Sequence, residues 1–155
     1  MDYFHSRDLR TGRFSEPERP YLVTTTTLHR TPVFSEITAA RLLAKELRDA
    51  EEAGCVSSLC WVIMPDHLHW LLVLQRAALH KVVRRVKSRS AIAINRARNR
   101  TGKLWQPGFH DRALRRNEDI KRVARYVIAN PLRAGLVSDI NDYPLWEAVW
   151  ADRGN

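Results

Sequence analysis

The sequence predicts an α+β fold, an antiparallel sheet with helices packed on one face. Three observations point there. Two apolar runs, Val56–Met64 and His67–Leu74, are separated only by Pro65-Asp66, a tight-turn pair, so they should form a hairpin. A third run, YLVTTTTL from Tyr21 to Leu28, is rich in β-branched residues and reads as a strand. Helical periodicity fills the segments between, which gives the order β-α-β-β-α-β-α.

In chain order, residues 1–19 form a polar arm with Gly12 and Pro17. Ser35 can N-cap the first helix. Ile37, Ala40, Leu43, Leu47 and Ala50 then recur at helical spacing, and Gly54 stops it. After the hairpin, Leu79 to about Arg98 is the clearest helix. Its stripe is Leu79, Val82, Val83, Val86, Ala93, Ile94 and Ala97, with most basic residues turned away, and Thr101-Gly102 ends it. Lys103–Leu114 carries Trp105, Pro107, Gly108 and Phe109 and reads as a bent strand or strand pair. Asn117 could cap a last helix whose core positions are Ile120, Val123, Ala124 and Val127, closed by Pro131. Residues 142–155 form a short tail whose apolar part, Tyr143–Trp150, should pack back on the body. The whole chain of 155 residues reads as one domain, large enough to bury its own core.

An apolar fraction of 45% and a charged fraction of 28% are those of an ordinary globular protein, and no apolar run approaches the ~20 residues of a membrane span. The polar start is no signal peptide. Cys55 and Cys60 are the only cysteines. The expected compartment is the reducing cytoplasm, at the nucleoid, without a disulfide.

Charge is segregated along the chain. The net charge is +9, yet the block from Lys81 to Arg125 holds 15 basic and 3 acidic residues, and the remainder is net negative. Solubility alone does not require the two signs to separate, so the block suggests a polyanion partner, nucleic acid first.

His67 and His69 stand in an apolar strand. Side chains alternate along a strand, so both imidazoles face one side, opposite Leu68 and Trp70. Such a pair can chelate one divalent metal, or it can be two hydrogen-bonded core histidines. A zinc set of Cys55, Cys60, His67 and His69 is a further alternative, although cysteines at those positions of one strand would face opposite ways. On the last helix Tyr126 and Asn130 are four apart and share a face. With Ile120 at zero they fall at about 240° and about 280°, on the shoulder of the apolar stripe.

Together these residues resemble a family. His67-Leu68-His69 is similar to the histidine-hydrophobic-histidine (HUH) motif, and Tyr126-x-x-x-Asn130 to the tyrosine motif that accompanies it. MPDHLHWLL (Met64–Leu72), WQPGFHDRALR (Trp105–Arg115) and RYVIANPLRAGLV (Arg125–Val137) resemble the branch of single-tyrosine HUH transposases associated with repetitive extragenic palindromes (REP). TPVF (Thr31–Phe34) and DYPLW (Asp142–Trp146) fit more loosely, and the match runs in consistent order from about Tyr21 to Trp146.

The resemblance implies the ferredoxin-like sheet of HUH endonucleases. It implies Tyr126 as nucleophile, and His67, His69 and Asn130 as ligands of a divalent metal, Mg²⁺ or Mn²⁺. Asn130 agrees with the palindrome-associated branch; the insertion-sequence branch usually has Gln. The implied reaction is nicking and joining of single-stranded DNA beside a hairpin, through a 5′-phosphotyrosine; the alternative is a protein that binds such hairpins without turnover. A monomer is expected, with a dimer the alternative. Candidate DNA contacts are Arg84, Arg85, Lys87, Arg89, Arg112, Arg115, Arg116, Arg122 and Arg125, with Trp105 as a surface for base stacking.

Overall fold

The computed structural model describes residues 18–150. Five antiparallel strands form one sheet, in the order β4-β1-β3-β2-β5: β1 (Pro20–Thr26), β2 (Val56–Met64), β3 (His67–Leu74), β4 (His110–Ala113) and β5 (Trp146–Ala148). Two long helices, α1 (Ile37–Glu52) and α2 (Leu79–Arg98), cover one face. The short helix α3 (Ile120–Ile128) and the one-turn α4 (Asn130–Arg133) lie on the other.

The hairpin is as expected. Its Pro65-Asp66 turn is tied down by neighbours: the Thr27 amide donates to the Asp66 carbonyl and the Phe34 amide to that of Pro65, both at 2.9 Å. β3 is the central strand, with β1 and β2 on either side. A bulge at Ser58–Cys60 changes which residues of β2 face which way. Val56, Trp61 and Ile63 point to α1 and α2, whereas Cys60, Val62 and Met64 point to α3.

The larger core joins Leu43 and Leu47 of α1, Val82 and Val86 of α2, and Leu68, Trp70 and Leu72 of β3. These positions recur every three or four residues on the helices and every second residue on the strand, so each element turns one face inward. The smaller core lies under α3 and the C-terminal segment and gathers Cys60, Val62, Met64, Leu71, Ala124, Val127, Tyr143 and Trp146.

Several boundaries differ from the sequence reading. Ser35 lies in a 3₁₀ turn, and Glu36 takes the cap position of α1 without a side-chain bond. The Asp119 side chain, not Asn117, caps α3 by accepting from the Arg122 amide. α2 ends at Asn99, whose φ of 54° turns the chain before Thr101-Gly102. Lys103–Leu114 supplies a bridge from Trp105 to Thr27 and then β4, both on the edge of β1. The tail packs back as expected and also contributes β5, paired with β2. Residues 1–17 of the N-terminal arm lie outside the described residues, as do 151–155.

Candidate active site and nucleic-acid groove

His67 and His69 share the face of β3 opposite Leu68 and Trp70. Their rings meet edge to face, with centroids 4.7 Å apart. Each ring is held through Nδ1: His67 against Asp66 Oδ1 at 2.7 Å, and His69 against Thr24 Oγ1 at 2.9 Å. With both Nδ1 atoms engaged, each ring has Nε2 left for another partner. An acceptor on Nδ1 that fixes the tautomer and the ring plane is the usual arrangement behind a metal-binding imidazole. Asp66 is itself held by Arg30, whose Nε donates to Oδ2 at 2.9 Å. Burial raises the Asp66 carboxyl, but the bonds from His67 and Arg30 outweigh it and keep the group below its ordinary range. Burial, with positive charge at His67 and Arg133 adding to it, pushes His69 down to about 4, so this imidazole is neutral near pH 7.

The pair sits on a seam. Across from His69 and His67 on β2 are Val62 and Met64, buried beneath α3 and the C-terminal segment. Across from them on β1 are Thr24 and Thr26, which line an open groove.

The end of α3 brings up the other candidates. Pro131 has no N–H to continue the helix, and the last carbonyls turn to side chains instead. Asn130 Nδ2 donates to the Val127 carbonyl at 2.7 Å. That bond leaves the amide oxygen of Asn130 as its outward acceptor. Arg133 donates to the Tyr126 carbonyl at 2.7 Å, and its guanidinium carbon lies 3.8 Å from the centre of the Tyr126 ring. Tyr126 is 67% exposed, on the shoulder of a helix whose Ala124 and Val127 are buried.

Imidazole nitrogens and amide oxygens are donors that add no negative charge and suit a divalent ion bound to phosphate. The zinc alternative does not survive. Cys55 packs with the larger core and Cys60 with the smaller, on opposite faces. Burial also pushes the Cys60 thiol up to about 12, away from the thiolate that zinc needs. Among the described residues no three His, Cys, Asp or Glu side chains converge as a metal-binding group.

The groove has a volume of about 900 Å³ and runs between α2 and the segment 103–110. Arg84, Lys87, His80, Lys103 and His110 line it, and no carboxylate does. Thr24, which bonds His69, is also among its lining residues. Lys87 donates to the carbonyls of Gln106 at 2.9 Å and Gly108 at 2.6 Å, and burial pushes its ammonium down to about 8.

The other expected DNA contacts divide. Arg115, Arg116, Arg122 and Arg125 are exposed on and before α3. Arg112 is paired with Glu118 through two bonds of 2.9 and 3.1 Å, and Arg89 with the buried Glu46 at 2.8 Å. Arg85 is half-buried, with its Nε out of solvent. Trp105 requires a correction. It is among the residues lining the groove but only 6% exposed, tilted against Phe34 and bonded through its indole N–H to Ser90, so most of its ring is spent on the core rather than on a base.

Sequence reading also missed Thr24, Asp66, Arg133 and Lys103. Asp66 was visible as the neighbour of His67, and Thr24 lay in the threonine-rich run that read only as a strand. Arg133 lies beyond the helix break at Pro131, where helical spacing from Tyr126 no longer applies.

Comparison with known proteins agrees with this architecture. The chain spans about half the length of the curated relative it matches, the REP-associated tyrosine transposase of Escherichia coli strain K12; the two are 28% identical over 86 residues, 54% of this chain and 49% of that protein. A solved structure of a REP-associated tyrosine transposase bound to a REP hairpin has the same fold, with a TM-score of 0.70 at 20% identity over 86% of this chain and 79% of that one. Residues 19–130 match the family model of IS200-like transposases, a span that contains the histidine pair, the groove, Tyr126 and Asn130, and the chain belongs to that family.

Proposed function

We propose that this protein cuts and rejoins single-stranded DNA beside a palindromic hairpin, with Tyr126 as nucleophile and His67, His69 and Asn130 as ligands of a divalent ion, Mg²⁺ or Mn²⁺. The observation that carries the reading is the pair of imidazoles on one strand face, each fixed through Nδ1, beside a helix that presents an exposed tyrosine. The relative solved with a REP hairpin supports DNA of that shape as the substrate.

A phenol with its ordinary pKa near 10 is a weak nucleophile at neutral pH. When bound, a divalent ion supplies Lewis-acid polarisation of the scissile phosphate and offsets the charge that develops there. The chain's own residues do the rest. Asp66 and Thr24 hold the imidazole planes. Asn130 turns its amide oxygen outward because its nitrogen is spent on Val127. Arg84 and Lys87 guide the phosphates of the strand along the groove toward Thr24.

In the reaction the Tyr126 hydroxyl oxygen attacks phosphorus and loses its proton. The bond from phosphorus to the 3′ oxygen breaks, and that oxygen leaves as a 3′-hydroxyl after taking up a proton. One phosphodiester replaces another, so the step needs no nucleotide triphosphate. A second 3′-hydroxyl can reverse the attack and join a new strand. A monomer suffices in this scheme, a reading supported by the packing of α3 on β2, the neighbour of the histidine strand in the same sheet.

The test is incubation of labelled single-stranded oligonucleotides carrying a genomic palindrome with the wild type, Tyr126→Phe and His67→Ala, each with Mn²⁺, Mg²⁺ or EDTA. A covalent adduct on a denaturing gel is expected only for the wild type with metal. Tight binding of the oligonucleotide without any adduct would instead identify a hairpin-binding protein.

A further inference from the structure

We infer that Arg133 is a positioning residue for the nucleophile: it clamps Tyr126 from both ends, with its guanidinium over the ring and a hydrogen bond to the backbone of the same residue. This rests on the reading of Tyr126 as nucleophile. The geometry is specific. The guanidinium carbon is 3.8 Å from the ring centre while a terminal nitrogen reaches the Tyr126 carbonyl at 2.7 Å. One side chain therefore fixes the ring relative to the helix that carries it.

An exposed tyrosine needs such a restraint. The ring is 67% exposed, so core packing does not select its rotamer. Misplacing a reacting atom by about 1 Å can cost on the order of 100-fold in rate, so an unrestrained ring would spend little time aligned. Guanidinium over a phenol face is a favourable electrostatic contact, and the planar fork of arginine allows stacking and hydrogen bonding at once, which lysine cannot reproduce.

The chain break explains why Arg133 is available. Pro131 ends the hydrogen-bond ladder of α3, and α4 begins again at Asn130. The turn places Asn130 and Arg133 back over the last carbonyls of α3, Asn130 on Val127 and Arg133 on Tyr126. One short segment thus carries both a proposed ligand, Asn130, and the residue that holds the attacking group.

Two readouts test this. The first needs no DNA: ring ¹H–¹³C correlation spectra of the wild type, Arg133→Lys and Arg133→Ala, with Tyr126 assigned from Tyr126→Phe. The Tyr126 ring signals are expected to shift in Arg133→Ala and less so in Arg133→Lys, while other tyrosine signals stay. The second separates rate from binding with a hairpin oligonucleotide. Adduct formation at saturating DNA is expected to slow about 30-fold in Arg133→Ala and about 5-fold in Arg133→Lys, with Kd in EDTA changed less than about 3-fold. Unmoved ring signals overturn the proposal. So does an unchanged rate at saturation with weaker binding, which makes Arg133 a phosphate contact. If the wild type forms no adduct, the nuclease reading fails and the ring signals alone decide whether Arg133 restrains Tyr126. Should Arg133→Ala fail to fold, Arg133→Gln replaces it, since it keeps a donor for the Tyr126 carbonyl and removes the charge over the ring.

Discussion

The two faces of β3 are built for different work. On one, Leu68, Trp70, Leu72 and Leu74 are buried beneath two helices of 16 and 20 residues. On the other, His67 and His69 lie between Val62 and Met64, buried beneath α3 and the C-terminal segment, and Thr24 and Thr26 of β1. The first face makes the strand stiff; the second uses that stiffness to hold two imidazoles in register. A ligand platform needs such a backing, because strand side chains are only as well placed as the strand itself.

Adjacent residues should therefore fail in opposite ways. His69→Ala is expected to reduce adduct formation by at least about 1,000-fold while costing no more than about 1 kcal/mol of stability. Trp70→Ala is expected to cost about 3–5 kcal/mol of stability, through lost burial and the lost bond to Ser58, with the site's chemistry intact in whatever fraction stays folded. Chemical denaturation and the gel assay, run on both variants, give the contrast. Equal stability losses in the two would mean that the histidine face is core as well.

A smaller effect concerns the support of the rings. Asp66→Ala removes the acceptor on His67 Nδ1 and frees Arg30. It should weaken Mn²⁺ binding about 10–100-fold by titration calorimetry, without changing hairpin affinity in EDTA by a similar factor. Unchanged metal affinity would show that the His67 ring is oriented by packing alone.

The basic block divides along the same line. Arg89 serves the fold: its partner Glu46 is 6% exposed, and Arg89→Ala should lower stability with little effect on DNA affinity. Arg84 lines the groove, and Arg84→Ala should weaken hairpin binding and lower the slope of log K against log salt by about 0.7 while leaving stability unchanged. Filter binding over a salt series tells the two apart.

The smallest expected effect is one of pH. Burial pushes the Lys87 ammonium down to about 8, so the group is charged below that value and loses its charge as pH rises through it. Any affinity it lends to phosphate is then present at pH 7 and fades by pH 9. The difference in DNA affinity between the wild type and Lys87→Met should shrink over that window. A difference that stays constant to pH 9 would show that Lys87 keeps its proton against the two carbonyls.

Much of this was legible in the sequence because period-two and period-3.6 patterns report local structure. The hairpin and both long helices were bounded closely, and the shared face of His67 and His69 follows from strand alternation alone. What stayed hidden depends on contacts between distant segments. The bulge at Ser58–Cys60 exchanges the faces of β2, and no periodicity announces it. β5 is only three residues long, too short for a pattern. Trp105 read as a stacking surface because it lies among glycine, proline and basic residues, yet it fills the gap between Phe34 and Ser90. Arginine pairing is just as opaque: Arg89 and Glu46 are 43 residues apart, and only the fold brings them together.

The most direct test of the central claim is to locate the covalent bond. A hairpin oligonucleotide is cut in the presence of Mn²⁺, the protein and attached DNA are digested, and the nucleotide-bearing peptide is sequenced by mass spectrometry. The result predicted is a phosphate ester on Tyr126, within the segment Arg125–Arg133, with the released strand ending in a 3′-hydroxyl. A phosphate on any other residue, or cleavage that leaves no protein-bound nucleotide, would contradict the account.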